Sequence, residues 1–207
     1  MNVVLALVIA YLLGSIPSGY IAGRIRGIDV RKFGSQNVGA TNVFRTLGRR
    51  TGIAVMAADV LKGLAAVLIA QLLTDPPWEL VAAAAAIAGH VFPVWLRFRG
   101  GKGVAVGAGC MLGTVTLAAL IAIGIWVVIV LITRYVSLAS IVGTLSVAPV
   151  AWVLGASTAE VAFAAVGGLA VIYFHRANIA RLLRGQELRI DFRRRSRGSP
   201  AGTSSPP

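Results

Sequence analysis

Four short polar stretches, set between long apolar runs, hold the residues of this chain that could do chemistry. The first, Gly34 to Gly48, reads G-S-Q-N-V-G-A-T-N-V-F-R-T-L-G and carries Arg45 as its single cation. The second, Arg97 to Gly109, reads R-F-R-G-G-K-G-V-A-V-G-A-G. There, Gly100, Gly101 and Gly103 let the backbone approach an anion, the N–H groups at the start of the following helix point toward it, and Lys102 adds a point charge. A nucleotide-binding loop of the Walker type is excluded, because Gly103 stands where a Ser or Thr would bind magnesium. Arg45 is a second candidate phosphate ligand, able to bind two oxygens at once where lysine cannot. Ser35, Asn37, Thr41 and Asn42 are neutral groups suited to hydroxyls or a carbonyl oxygen, and equally suited to turn and cap chemistry. In the last two stretches, Ser137 to Ser140 and His175 to Asn178, His175 and Asn178 share a face if the helix continues, and a histidine there exchanges a proton near neutrality. The plainer alternative is that the glycines serve helix packing and the cations only set topology.

The elements that must position these groups are membrane helices. In 207 residues, 57% are hydrophobic, and a mean hydropathy of +0.82 lies far above that of a soluble domain. The single Cys110 rules out an internal disulfide, and with only two histidines a Cys/His metal site is not expected. A net charge of +13 could suggest nucleic acid, but the basic residues lie between apolar runs, where they report topology first. The amino-terminal apolar run has no positive segment before it; its cations follow at Arg24 and Arg26, as in an uncleaved first span.

The expected spans are 3–23, loosened near Pro17, then 52–73 and 80–96. Residues 104–133 form thirty uncharged positions between Lys102 and Arg134. One straight helix of that length would run about 45 Å, beyond a hydrocarbon core of roughly 30 Å. If both flanks are cytoplasmic the segment must turn back, and we place the split near Ala118. Residues 138–155 and 161–174 complete an all-α integral membrane protein with seven transmembrane helices, amino terminus outside and carboxyl terminus cytoplasmic. The charges support this: nineteen of the twenty Lys and Arg residues fall in the segments assigned to the cytoplasm, whereas the outer turns hold Asp75, Glu79 and Glu160 and no cation. Five spans, with a different treatment of 104–133, is the main rival. On this plan residues 1–192 form one transmembrane domain, and 193–207 have the composition of a disordered basic tail able to touch anionic lipid. All four polar stretches lie on the cytoplasmic side. Asp59 and Lys62 share a helix face within a span and are expected to neutralise each other, and His90 is read as a helix-to-helix hydrogen bond beside Pro93.

Taken together, G14-S-I-P-S-G-Y20, G34-S-x-N-x-G-A-T-N-x-x-R45, D59-x-x-K-G63, G89-H-x-x-P93 with G100-G-K-G103, S137-x-x-S140 and H175-R-x-N-I179 with G185-x-E187 resemble the bacterial membrane acyl-phosphate:glycerol-3-phosphate acyltransferases, the PlsY family. The resemblance runs over roughly residues 10 to 190, leaving out only the basic tail. It implies transfer of a fatty acyl group from acyl phosphate to the 1-hydroxyl of glycerol 3-phosphate, giving lysophosphatidic acid and phosphate in phospholipid biosynthesis. It further implies seven spans, a site facing the cytoplasm of a bacterial plasma membrane, and no cofactor, metal, acyl-CoA or acyl carrier protein. Carried onto matching positions, Ser35, Arg45, Lys102, Ser140, His175 and Asn178 look like the active-site set, with Asn37, Thr41 and Asn42 nearby. Membrane lipid is the only further partner expected, with no nucleic acid and no obligatory protein partner.

Both substrates of such a reaction bring phosphate and one brings a long acyl chain, which suits a cationic site at a membrane surface. Direct attack by the glycerol hydroxyl on the acyl carbonyl is expected, because no acid neighbours His175 in sequence and no serine has an obvious base. Two other classes remain open at this stage: a small transporter of an anionic solute, built on Asp59 and Lys62 at mid-membrane depth, and a lipid-binding scaffold using the basic tail.

Overall fold

The structure, a computed structural model, describes residues 2–192, and over these it is all α-helix joined by short loops and two 3-10 turns. The expected disordered tail, 193–207, lies outside the described residues. The first apolar run is two helices, α1 (Val3–Ser15) and α2 (Ser18–Ile25), divided at Ile16 and Pro17. Pro17 has no N–H to continue the helical ladder and restricts Ile16 before it, so the loosening expected there is a full break. A loop carrying a 3-10 turn (Val30–Lys32) leads to the short amphipathic α3 (Ala40–Leu47), then to the long α4 (Arg49–Leu73). α5 (Trp78–Val91), a 3-10 turn (Val94–Leu96), α6 (Val104–Thr114), α7 (Thr116–Thr133), α8 (Val136–Val153), α9 (Thr158–Phe174) and α10 (Arg176–Leu183) follow.

Five segments are long and apolar enough to cross a bilayer: 3–25, 49–73, 78–96, 116–133 and 136–153. α9 and α10 meet at 62° and make a sixth if counted as one span. The shortfall from seven lies at α6, whose eleven residues extend only about 16 Å. The division of 104–133 also falls at Val115 (φ −120°, ψ 60°) rather than at Ala118. The reason is the β-branched run Thr114-Val115-Thr116. The Thr114 hydroxyl donates to the Cys110 carbonyl at 3.2 Å and Thr116 to Leu112 at 2.8 Å, so side chains satisfy carbonyls where the ladder stops.

The molecule is apolar outside and small-residued inside, the reverse of a water-soluble bundle. Leu72 is 86% exposed and Ala70 fully buried on the same helix, and the first core cluster is mostly alanine: Ala6, Ala10, Ala66, Ala70, Ala82, Ala83 and Ala86. Such a surface is matched to lipid, and the small residues let backbones meet. α1 packs on α4 and α5, α4 on α6, and α7–α8–α9 form a second layer. At the α4–α6 crossing a side chain on Gly63 would overlap the Val106 backbone, and one on Gly109 would overlap the Val60 carbonyl, so both helices need glycine at the contact. α6 feeds both cores, with Val106 and Cys110 in the first and Met111 in the second. A helix surrounded by protein is freed from matching the bilayer's thickness, which is how so short an apolar segment is accommodated.

Candidate active site

The first wall of the site is residues 29–48. Asp29 starts it: its carboxylate accepts from the Arg31 backbone N–H at 3.0 Å and pairs with the Arg31 guanidinium at 2.7 Å. That guanidinium hydrogen bond holds Asp29 down at about 2. The loop is then folded around Asn42, which is 1% exposed. Its side-chain carbonyl accepts from the Ser35 N–H at 2.8 Å, and its amide donates to the carbonyls of Val30, Phe33 and Asn37 at 2.9, 3.1 and 2.8 Å. Asn37 in turn accepts from the Gly39 N–H at 2.8 Å, closing the turn into α3. Of the two roles open to these asparagines, the geometry displays the turn role; the donors of Asn42 are spent within the loop. Thr41 is half-buried in the first turn of α3, and Ser35 is exposed with its hydroxyl free.

Arg45, on the last turn of α3, donates through Nη2 to the Leu188 carbonyl at 2.9 Å, while its Nε is buried without a partner. Burial lowers its proton affinity, and nearby Glu187 partly restores it. An arginine fixed at one corner, with donors in reserve, is poised for an anion.

The second wall is the glycine loop. The Gly100 N–H donates to the Val91 carbonyl and the Gly101 N–H to the His90 carbonyl, both at 3.0 Å. Two amides expected to face a phosphate therefore cap the carbonyl end of α5 instead, because a helix terminus leaves acceptors that must be satisfied. The amides still suited to an anion are those opening α6, after Gly103, whose φ of +81° makes it the left-handed N-cap. Lys102, between them, donates to the Asn178 side-chain oxygen. Burial, reinforced by the nearby Arg181 and partly offset by Glu187, lowers its pKa to about 8.

The third wall is the joint between α9 and α10 with the segment after it. His175, 4% exposed, donates from Nδ1 to the Val171 carbonyl at 2.9 Å, which leaves Nε2 as the free acceptor of the neutral ring. Lys102 and Glu187 are the charged groups whose fields reach it. Glu187 organises this wall. Its carboxylate accepts from Asn178 at 2.6 Å, Arg181 at 2.7 Å and Ser137 at 2.8 Å. Burial alone would raise its pKa, but these three donors hold it below the usual carboxylate value. Ser140, one turn beyond Ser137 and 4% exposed, accepts from the Trp126 indole at 3.3 Å.

Arg45, Lys102, His175 and Asn178 are thus gathered around Glu187, whereas among the described residues no side-chain hydrogen bond joins Ser35, Asn37, Thr41 or Ser140 to that cluster. Sequence reasoning missed Glu187, Arg181 and Trp126 as site-building residues, and it named Ser137 only as the start of the Ser137 to Ser140 stretch. In the sequence Arg181 reads as one more topology signal, and Glu187 stands out only within G185-x-E187. An acid in so basic a segment was the available signal. Among the described residues, no three of His, Cys, Asp and Glu group as a metal site.

A family model described as glycerol-3-phosphate acyltransferase matches residues 4–185. The chain belongs to the glycerol-3-phosphate acyltransferase family. Glycerol-3-phosphate acyltransferases of Rubrobacter xylanophilus and Desulforudis audaxviator are 47% and 44% identical to it, over 89% and 93% of this chain and 93% and 98% of theirs. Among solved structures, it is similar to crystal structures of PlsY, an integral membrane glycerol 3-phosphate acyltransferase, in a glycerol 3-phosphate form and a lysophosphatidic acid form. These superpose with TM-scores of 0.88 and 0.86 at 40% identity, covering 92% and 93% of this chain and 96% and 97% of theirs. This glycerol-3-phosphate acyltransferase is therefore an integral, multi-pass membrane enzyme, and the expected family and activity class stand. The transport reading loses its footing as well, because Lys62 and Asp59 pair with each other at 2.8 Å.

Proposed function

We propose that this enzyme transfers the acyl group of an acyl phosphate to the 1-hydroxyl of glycerol 3-phosphate, releasing lysophosphatidic acid and inorganic phosphate at the cytoplasmic face of a bacterial plasma membrane. The observation that carries the reading is the convergence near Glu187 of Arg45 and Lys102, two half-buried cations with donors to spare, the first tied to the Leu188 carbonyl and the second to Asn178. Both substrates present phosphate dianions, and these cations with the amides opening α6 are the groups suited to hold them.

The hydroxyl oxygen attacks the acyl carbonyl carbon, the carbonyl-to-phosphate C–O bond breaks, and the hydroxyl proton leaves with the departing phosphate. Lys102 and Arg45 offset the charge that develops on that phosphate. Ser35, Asn178 and the Nε2 of His175 orient the hydroxyl, a role in which placement rather than basicity does the work. Asn37, Thr41, Asn42, Gly100, Gly101, Gly103 and Ser140 shape the pocket around them. The proposed route has no acyl-enzyme: Ser140 accepts from the Trp126 indole, and the Ser137 hydroxyl donates to Glu187, a carboxylate that Asn178 and Arg181 also hold and whose lowered pKa makes it a poor base.

We further infer seven crossings, with α6 a short crossing screened from lipid by its neighbours, an external amino terminus and a cytoplasmic carboxyl terminus. The one-sided distribution of Lys and Arg supports this arrangement. Purified enzyme given acyl phosphate and glycerol 3-phosphate is expected to release phosphate only when both are present, and not in Lys102→Ala. Acyl-serine trapped on the protein would refute direct transfer. Labelling of engineered cysteines from either side of sealed vesicles tests the topology, and a carboxyl-terminal cysteine reached from outside would overturn it.

A further inference from the structure

Ser18, Asp59, Lys62 and His90 form a second polar cluster, buried among helices and apart from the groups assigned to the reaction. Asp59 accepts from Lys62 at 2.8 Å and from the Ser18 hydroxyl at 2.9 Å. The Lys62 ammonium donates also to the Ile16 carbonyl at 2.7 Å and to His90 Nδ1 at 3.1 Å. An ammonium has no lone pair, so His90 Nδ1 must accept and the ring proton sits on Nε2. A charge pair 2% and 7% exposed is costly to bury, even when its hydrogen bonds are met as here.

The cluster touches both walls of the active site. The Nε2 edge of the His90 ring lies against Gly101, where any side chain would collide with it, and the His90 carbonyl accepts from the Gly101 N–H at 3.0 Å. The next residue is Lys102. On the other side, Ser18 opens α2, and its neighbour Gly19 is pressed against the Val38 carbonyl, inside the loop that Asn42 folds. A cavity of about 10 Å³, the size of one water, lies where the walls meet, lined by Ser15, Ser18, Val38, Asp59, His90 and Pro93. The Ser15 hydroxyl is buried there without a protein partner.

We propose that the Ser18–Asp59–Lys62–His90 cluster is a positioning device that holds the Arg45 wall and the Lys102 wall in register, so that a phosphate bound between them is felt at His90. It rests on the assignment of Lys102 as a phosphate-holding residue.

The test has a kinetic and a spectroscopic arm. In the intact enzyme, with only two histidines to resolve, the ring 15N resonances of His90, assigned by their loss in His90→Gln, move on addition of inorganic phosphate. They stay in place when phosphate is added to Lys102→Ala. His90→Gln keeps the parental melting temperature within a few degrees while kcat/KM for glycerol 3-phosphate falls about tenfold or more, as displaced binding groups require. Should His90→Gln not fold, Ser18→Ala, which leaves the ion pair in place, is expected to show a smaller loss of the same kind. Parental kcat and KM in the folded variants, or His90 resonances indifferent to phosphate, would overturn the proposal. A fully active Lys102→Ala would instead remove the site assignment beneath it.

Discussion

Lys62 and Lys102 are both withdrawn from water, yet they are held in opposite ways. All three donors of Lys62 are placed on an acceptor, with Asp59 supplying the opposite charge at 2.8 Å. Lys102 has one partner, the neutral oxygen of Asn178, and its surroundings include two further cations, Arg45 and Arg181. A saturated lysine can only hold structure, whereas one kept short of acceptors among other cations is prepared for an anion that arrives from outside. Burial by itself therefore does not mark a functional charge; unmet hydrogen-bonding capacity does.

The contrast breaks most plainly at Lys62. Lys62→Met strands Asp59 without its counter-charge and is expected to cost about 3–5 kcal/mol of stability, read as a large drop in melting temperature in detergent. Adding Asp59→Asn should recover much of it. Lys102→Ala should do the reverse, leaving the melting temperature near parental while kcat/KM falls about 10²–10³-fold, the range for removing one group that stabilises developing charge. The lowered pKa of Lys102, about 8 through burial first and Arg181 next, gives the next effect. If the proposed phosphate contact needs the protonated form, kcat/KM should decline about tenfold per unit as pH rises above that value. Lys102→Arg, if active, should not show this limb. The smallest effect is on Glu187, whose carboxylate is held below its usual value by Asn178, Ser137 and Arg181 against the opposing influence of burial. A carboxyl depressed in the fold contributes stability above its unfolded pKa, 4.5, and loses it as pH falls through the folded value. Ser137→Ala should thus cost about 1 kcal/mol near neutrality and less in acid, as seen by denaturation at both pH values.

Much of this was legible in the chain. The apolar runs, the cationic loops and the four polar stretches followed from composition and spacing, and Asp59 with Lys62 read correctly as a neutralising pair. What the sequence could not display were partnerships across long separations. Arg45 meets Leu188 across 143 positions and Lys102 meets Asn178 across 76, and no local periodicity encodes either. The role of Asn42 was hidden for another reason: an amide suits a ligand and a turn equally well, and only the packed loop distinguishes them. The break falls at Val115 rather than near Ala118, and its signal is the β-branched run Thr114-Val115-Thr116, in which both threonine hydroxyls bond back to carbonyls.

The segment after α10 is slight, yet it crosses the whole site: Glu187 gathers Ser137, Asn178 and Arg181, the Leu188 carbonyl receives Arg45, and the Ile190 N–H donates to the Arg134 carbonyl. During synthesis these residues are the last of the membrane domain to leave the ribosome. A nascent chain with every helix already made would still lack the Leu188 carbonyl for Arg45 and the Glu187 carboxylate for Asn178, so the segment acts as a final latch, closing only after the helices it fastens are in place.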